Sequence, residues 1–327
     1  MKLLLELSME CESLARAEAV SAAIALGGRP KVLAEEPGVL VMETAADPVR
    51  LAARLGLCHY VDEWIASCDD ADVDACAECI DVPGPIRVRS TKVGEKTVDL
   101  AGVSRRAGAI LGKRRGVDLH RPKSDIRIVF SDRVQIGRVV AAIERSSFEK
   151  RKNRYLPYVY PASLHPKYAR ALVNLTRAPS GSKLLDPFCG TGAIVAEASM
   201  LGMRALGSDF SESMIEGAKR NLEHVKAEAE LHLCDVGEIG SVVGRVDGIA
   251  TDPPYGRATT TDGEGIPDLY ARSFDSFSEV LARNGRAAVV VPDLRLVDDV
   301  DGFRRMENHA LWVHRSLTRH FCVFEKD

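Results

Sequence analysis

The chain has 327 residues, 46% of them hydrophobic and 28% charged, and a net charge of −3, ample for two compact domains. No apolar run reaches the roughly 18 residues needed to cross a bilayer, and Glu6 interrupts the N-terminal apolar run too early for a secretion signal. Eight scattered cysteines argue for reduced thiols and a cytoplasmic location. The charge is unevenly spread. Residues 1–84 hold 6 Lys/Arg against 16 Asp/Glu, residues 85–154 hold 19 against 7, and residues 155–327 hold 19 against 24. A basic block of that size can bind phosphate whatever the global charge, the plain alternative being a solvated basic surface.

In chain order, the first 68 residues predict a β-α-β-β-α-β succession, with strands at 2–7, 31–34, 39–43 and 59–67 and helices at 12–26 and 48–55. Cys76-Ala77-Glu78-Cys79 is a single CxxC. With Cys68 and His59 it could hold zinc, but a second pair is missing and local thiols in an acidic loop fit better, so no metal is expected. A strand begins at Ile86-Arg87-Val88-Arg89. Residues 100–111 predict a helix carrying Arg105 and Arg106, followed by Lys113, Arg114 and Arg115. The stretch 117–128, with Arg121 and Lys123, leads through a turn into a strand ending at Phe130, and Ser131-Asp132-Arg133 turns it into a second strand over 134–143. This block, over 69–146, resembles a THUMP domain, and the first 68 residues resemble the ferredoxin-like subdomain that accompanies it. That resemblance implies RNA binding through Arg105, Arg106, Lys113, Arg114, Arg115, Arg121 and Lys123. In the connecting segment 147–160, Lys150, Arg151, Lys152 and Arg154 stand beside Tyr155, Tyr158 and Tyr160. Such a mixture suits either a contact that tracks an RNA strand or a packed linker.

Beyond residue 160, four successive strand candidates end in aspartate. Leu184-Leu185 runs into Asp186, Ala205–Ser208 into Asp209, 229–234 into Asp235, and 246–251 into Asp252. In an open parallel sheet the carboxyl ends of the strands line the ligand crevice, so the acids converge on one place. After Asp186, Pro187 and Phe188, the turn Gly190-Thr191-Gly192 enters a helical pattern at Ala193, and its glycines permit close backbone approach to a ligand. The turn lacks a third glycine and carries an acid before it, which disfavours a pyrophosphate. Asp209 stands at the spacing from Gly190 from which an acid reaches ribose hydroxyls. Asp252-Pro253-Pro254-Tyr255 then follows an apolar run. Its prolines remove N–H groups and leave outward carbonyls, so the loop can accept the N–H groups of a planar amine while the tyrosine stacks on its ring. Read blandly, it is an acidic turn beside a strand.

These motifs resemble S-adenosylmethionine-dependent methyltransferases that modify exocyclic amines of nucleobases. The resemblance implies an α/β fold: a Rossmann-like class I methyltransferase domain over 161–327, with a seven-stranded, mostly parallel sheet, behind α+β ferredoxin-like and THUMP domains. It implies S-adenosylmethionine at His165, Pro166, Asp186, Pro187, Phe188, Gly190, Thr191, Gly192, Asp209, Phe210, Asp235 and Val236, and catalysis at Asp252, Pro253, Pro254 and Tyr255. The order of domains is similar to that of the archaeal and eukaryotic tRNA guanosine N2-methyltransferases acting at position 10. That implies a tRNA substrate, one or two methyl transfers to the guanosine amine and, for some members, a small zinc-binding activator subunit. Another tRNA guanosine, a ribosomal RNA guanine, a DNA adenine or a noncatalytic RNA-binding scaffold are the competing readings, the THUMP-like block speaking against DNA.

Overall fold

The computed structural model describes residues 1–161, 163–256 and 264–327. They form two compact units, one of residues 1–53 and 58–143, the other of residues 54–57 and 144–327.

The first unit contains β1 (Lys2–Leu7), α1 (Glu12–Ala25), β2 (Lys31–Glu36), β3 (Val39–Glu43), most of α2 (Pro48–Arg54), β4 (Cys58–Cys68), α3 (Val73–Cys79), β5 (Ile86–Lys92), α4 (Leu100–Arg115), β6 (Ser124–Phe130) and β7 (Val134–Ala142). Its strands make one seven-stranded sheet in the order β2-β3-β1-β4-β7-β6-β5. The two N-terminal segments expected from sequence therefore share a sheet, because β4 pairs antiparallel with β7 along most of its length. Leu3, Leu4 and Leu5 of β1 are all fully buried, as a strand covered on both faces requires. Helix α4 buries Val103, Ala107 and Leu111, one stripe at i, i+4, i+8, against Ile126, Ile128 and Phe130 of β6. The Asp99 carboxylate caps its start by accepting the Gly102 N–H at 2.9 Å, and Gly116, at φ +72°, ends it.

The second unit contains α5 (Arg145–Lys150), α6 (Pro166–Leu175), β8 (Lys183–Asp186), α7 (Ala193–Met200), β9 (Arg204–Asp209), α8 (Glu212–Val225), β10 (Glu230–Leu233), α9 (Ile239–Val242), β11 (Val246–Thr251), α10 (Ile266–Val280), β12 (Leu281–Val291), β13 (Phe303–His314) and β14 (Leu317–Lys326). The strand order is β10-β9-β8-β11-β12-β14-β13. The first five are mutually parallel, and β14 runs antiparallel to both its neighbours. This is the mostly parallel seven-stranded sheet that the methyltransferase resemblance implies, and four of its parallel strands run into the aspartates at 186, 209, 235 and 252. Crossovers proceed one way from β8 to β10 and the other way from β11 to β12, so strand order reverses between β8 and β11. Ligands of doubly wound sheets bind outside the carboxyl ends at such a switch point. Phe274, Phe277, Val289 and Phe324 pack α10 against the sheet beneath that end.

Candidate active site

A cavity of about 780 Å³ opens at the switch point. Asp186, Phe188, Gly190, Thr191, Asp209, Phe210 and all of Asp252, Pro253, Pro254 and Tyr255 line it. Its wall begins with the turn from β8 into α7. Gly190 sits at φ +47°, and a Cβ built there meets nothing within 4 Å, so the turn leaves backbone facing open space. Gly192, at φ +88°, faces away, where a Cβ would lie 3.3 Å from Ala218. It shapes the turn from behind and does not line the cavity.

Three acids meet here. Asp186 is buried and its Oδ1 accepts the Thr251 hydroxyl at 2.7 Å and the Phe188 N–H at 3.2 Å. Burial pushes its carboxyl up to about 7, against the pull of those two donors. Asp209 accepts the Gly190 N–H at 3.0 Å and the Ser211 N–H at 2.9 Å, which ties the glycine turn to the start of α8. Burial raises its carboxyl as well. Asp252, one residue beyond β11, receives the Tyr255 hydroxyl on Oδ1, and Arg319 Nη2 stands 3.9 Å from its Oδ2. Burial pushes Asp252 up to about 6, with Arg319 and the Tyr255 hydroxyl opposing. A cavity whose acids are desolvated favours a neutral or cationic guest and repels phosphate, as the acid before the glycine turn suggests.

Several expected site residues lie elsewhere. Asp235 does not line the cavity, because Arg272 of α10 draws its carboxylate into an ion pair and the Gly237 N–H donates to it at 2.8 Å. Burial pushes that carboxyl up, but the Arg272 guanidinium and the Gly237 amide more than offset it and hold it below the usual carboxylate range. Val236 is buried in the core beneath. His165 and Pro166 start α6, where His165 Nδ1 caps the helix by accepting the Lys167 N–H at 3.2 Å. Burial and the neighbouring lysines push the imidazole down to about 4, so it is neutral at pH 7. The Pro187 carbonyl points back to the Ser208 hydroxyl at 3.4 Å.

Sequence reading missed the residues that brace the site from a distance. Asn221 of α8 accepts the Tyr158 N–H at 2.9 Å and donates to the carbonyls of Tyr158 and Thr191 at 3.0 and 3.1 Å. One amide thereby clamps the connecting segment to the glycine turn. Ser163 adds a hydroxyl contact to Thr191 at 2.8 Å, and Tyr160 reaches the cavity wall. Tyr158 packs on Gly217, where a Cβ would fall 2.4 Å from its ring. The segment is thus a packed linker around Tyr158 and Tyr160.

Arg151 is a correction to the expected RNA contacts. Its Nε donates to Glu197 at 2.8 Å, a side chain only 1% exposed that Arg170 also binds at 2.8 Å. A buried carboxylate commits that guanidinium to the fold. Lys152 pairs with Glu149, while Lys150 and Arg154 are exposed, Arg154 over the Tyr155 ring. On α4, Arg106 pairs with Asp74 at 3.0 Å, Arg115 with Asp81, and Arg114 donates to the Glu78 carbonyl. Arg105 and Lys113 of that helix, and Arg121 and Lys123 beyond it, are exposed. No cluster of three His, Cys, Asp or Glu side chains suited to a metal ion occurs among the described residues.

Residues 153–320 match the UPF0020 family, an RMKL-like methyltransferase domain. Over its whole length the chain is 34% identical to the tRNA (guanine(10)-N2)-dimethyltransferase of Methanothermobacter thermautotrophicus, all of which it covers. It is 31% identical to the enzyme of the same name from Pyrococcus abyssi, covering 89% of this chain and 91% of that one. Among solved structures, TrmN from Thermus thermophilus is similar over 100% of both chains with a TM-score of 0.57 at 23% identity. SMU.472, crystallised in complex with SAH, is similar over 98% of this chain and 97% of that one, with a TM-score of 0.52 at 14% identity. At these identities the structural likeness speaks for the fold.

Proposed function

The chain belongs to the tRNA (guanine(10)-N2)-dimethyltransferase family, with the RMKL-like methyltransferase domain in its second unit, and from that premise we propose that it methylates N2 of guanosine 10 in tRNA using S-adenosylmethionine. The observation that carries the reading is the convergence of the glycine turn, Asp209 and the complete Asp252–Tyr255 loop on one cavity. When bound, S-adenosylmethionine supplies an electrophilic methyl group on a sulfonium. Its positive charge fits a cavity walled by Asp186, Asp209 and Asp252, and the open space over Gly190 leaves room for it. Asp209 and the Gly190 backbone are the residues to hold its ribose.

The acceptor guanosine has to leave its stack, at a cost of a few kcal/mol. Tyr255 then offers a face to the base. Asp252 and the Pro253 carbonyl accept the two hydrogens of N2, whose lone pair is otherwise delocalised into the ring. Holding both hydrogens favours a pyramidal nitrogen, and in-line positioning supplies most of the acceleration. As charge develops on nitrogen, the ionised Asp252 stabilises it and stands ready to take the proton. The exposed cations Arg105, Lys113, Arg121 and Lys123, on the segment 69–146 read as THUMP, are the residues proposed to hold the tRNA backbone, joined by Lys150 and Arg154.

A zinc-binding activator subunit enters on the family resemblance alone and is tested by adding it to a parallel reaction. Cytoplasmic location is part of the same reading; no helix of the described residues is long and apolar enough to cross a membrane. The test of the reaction is methyl transfer from labelled S-adenosylmethionine to tRNA transcripts with guanosine or adenosine at position 10. Label released as N2-methyl- or N2,N2-dimethylguanosine from the guanosine transcript only is the expected result. Label in both transcripts moves the target to another guanosine.

A further inference from the structure

Arg319 is out of place by the ordinary rules of its strand. It lies on β14 only two residues from Phe321, which is fully buried, and its own side chain is 14% exposed. A guanidinium that desolvated is costly unless carboxylates and acceptors satisfy it. Here Nη2 is 3.9 Å from Asp252 Oδ2, beyond hydrogen-bond length, and the buried Nε has no hydrogen-bond partner among the described residues. The guanidinium carbon stands 6.0 Å from the centroid of the Tyr255 ring. The cation therefore faces the Asp252–Tyr255 loop, interacting with both Asp252 and the Tyr255 side chain while its Nε donor stays unused.

The other groups facing Asp252 do not share that character. Tyr255, on the same loop, donates its hydroxyl to Oδ1. Tyr270 of α10 and Asp186 at the end of β8 are also within electrostatic reach. Burial holds both tyrosine hydroxyls far above the physiological range, so they remain neutral, and Asp186 is an acid. Among the described residues Arg319 is the one cation at ion-pair distance from Asp252.

We propose that Arg319 is a positioning residue for methyl transfer: from β14 it holds the Asp252 carboxylate ionised and, against the Tyr255 hydroxyl on the other oxygen, fixes the direction in which it meets the acceptor amine. The inference rests on the reading that Asp252 receives that amine. Two separable parts follow from the guanidinium's form. Any cation at this place supports ionisation, whereas only the planar guanidinium brings unused N–H donors that fix the carboxylate's direction once they close on it.

The test compares the wild type with Arg319→Lys, Arg319→Gln and Arg319→Met by two readouts. In the protein alone, carbon-13 NMR of labelled aspartate carboxyls, with Asp252→Asn assigning the signal, gives the Asp252 titration midpoint. In single-turnover methyl transfer to guanosine-10 tRNA, the rate is followed from pH 5.5 to pH 9. The expected midpoint near 6 in the wild type moves up by about one pH unit or more in Arg319→Met and Arg319→Gln, and by less than about half a unit in Arg319→Lys. The acidic limb of the rate moves with it, so that the Met variant is slower by about tenfold below the limb and recovers towards alkaline pH. Arg319→Lys keeps the limb and loses rate by a pH-independent factor. Should the Met variant not fold, the Gln and Lys variants carry the comparison. A midpoint that stays put in Arg319→Met and Arg319→Gln overturns the assignment, as does a loss of rate in those two variants that is the same at every pH. A midpoint that moves while the wild type transfers no methyl to any tRNA leaves Arg319 holding Asp252 and overturns the proposed reaction instead.

Discussion

Asp252 and Asp235 each follow a parallel strand of the same sheet, and each has an arginine beside it, yet their carboxyls are pushed in opposite directions. At Asp235 the Arg272 guanidinium is in direct contact and also binds Glu264 at 2.7 Å, in a partly solvated site where pairing outweighs burial. At Asp252 the guanidinium stops at 3.9 Å and burial prevails. The first arrangement consumes the acid's acceptor capacity in holding a turn. The second leaves a carboxylate only partly satisfied, on a cavity wall, at some cost to the folded state. Distance to the partner cation, more than the presence of one, separates an acid that braces the fold from one that is poised for a ligand.

The widest gap between the two lies in turnover. Asp252→Asn lowers single-turnover methyl transfer by at least about 10²-fold, because the acceptor for the amine and for developing charge is lost. Asp235→Asn leaves that rate within a few-fold. Rates measured with tRNA and S-adenosylmethionine saturating check both, and equal losses would break the comparison.

Stability separates them next, with opposite signs. The folded Asp252 carboxyl takes up its proton near pH 6 and an ordinary aspartate near 3.8, so the folded state binds the extra proton in that window and loses stability as pH rises through it. Asp252→Asn is expected to raise the melting temperature at pH 8, by on the order of 1–3 kcal/mol in stability, and by less at pH 5. Asp235 sits below 3.8 when folded, so its contribution is present above 3.8 and is lost as pH falls through the folded value. With both partners more than a third exposed, Asp235→Asn costs no more than about 1 kcal/mol. Thermal melts at the two pH values supply the signs.

A smaller effect sharpens the same contrast. Arg272→Met is expected to lower stability by less than about 1 kcal/mol and to leave the acidic limb of the rate where it is. A shifted limb would mean that Asp235 shares in the chemistry. Smallest per residue is the effect of charge on the other unit. Arg105→Glu and Lys113→Glu each weaken tRNA binding a few-fold and reduce the salt dependence by about one unit of slope, with the rate at saturation unchanged. Binding titrations across a salt series read this, whereas Asp252→Asn leaves tRNA affinity alone.

Much of this was legible in the sequence because it is local. Strands ending in Asp186, Asp209 and Asp252, the glycines at 190 and 192, and the Pro-Pro turn all announce themselves within a few residues, and a parallel sheet then brings the carboxyl ends together. What the chain order conceals is side-chain pairing across long separations. Asn221 reaches Tyr158 across 63 residues and Arg272 reaches Asp235 across 37, and neither leaves a period or motif behind. Asp235 read as part of the cavity because it shares the strand-end pattern, and only the α10 arginine reveals that it is drawn aside. Arg151 read as an RNA contact because it sits in a basic run, while the acid that binds it, Glu197, lies on α7 in a mostly apolar helix. In the first unit the pairing of β4 with β7 is equally non-local, which is why two segments were expected where one sheet forms.

The most direct measurement is single-turnover methyl transfer to guanosine-10 tRNA by the wild type and Asp252→Asn, with the binding of tRNA and S-adenosylmethionine measured on the same preparations and the product nucleoside identified by mass. The expected result is N2-methylated guanosine from the wild type, and from the variant unchanged binding with the rate down by at least about 10²-fold. A variant that keeps its rate within tenfold, or a methyl group found on an atom other than N2, would contradict it.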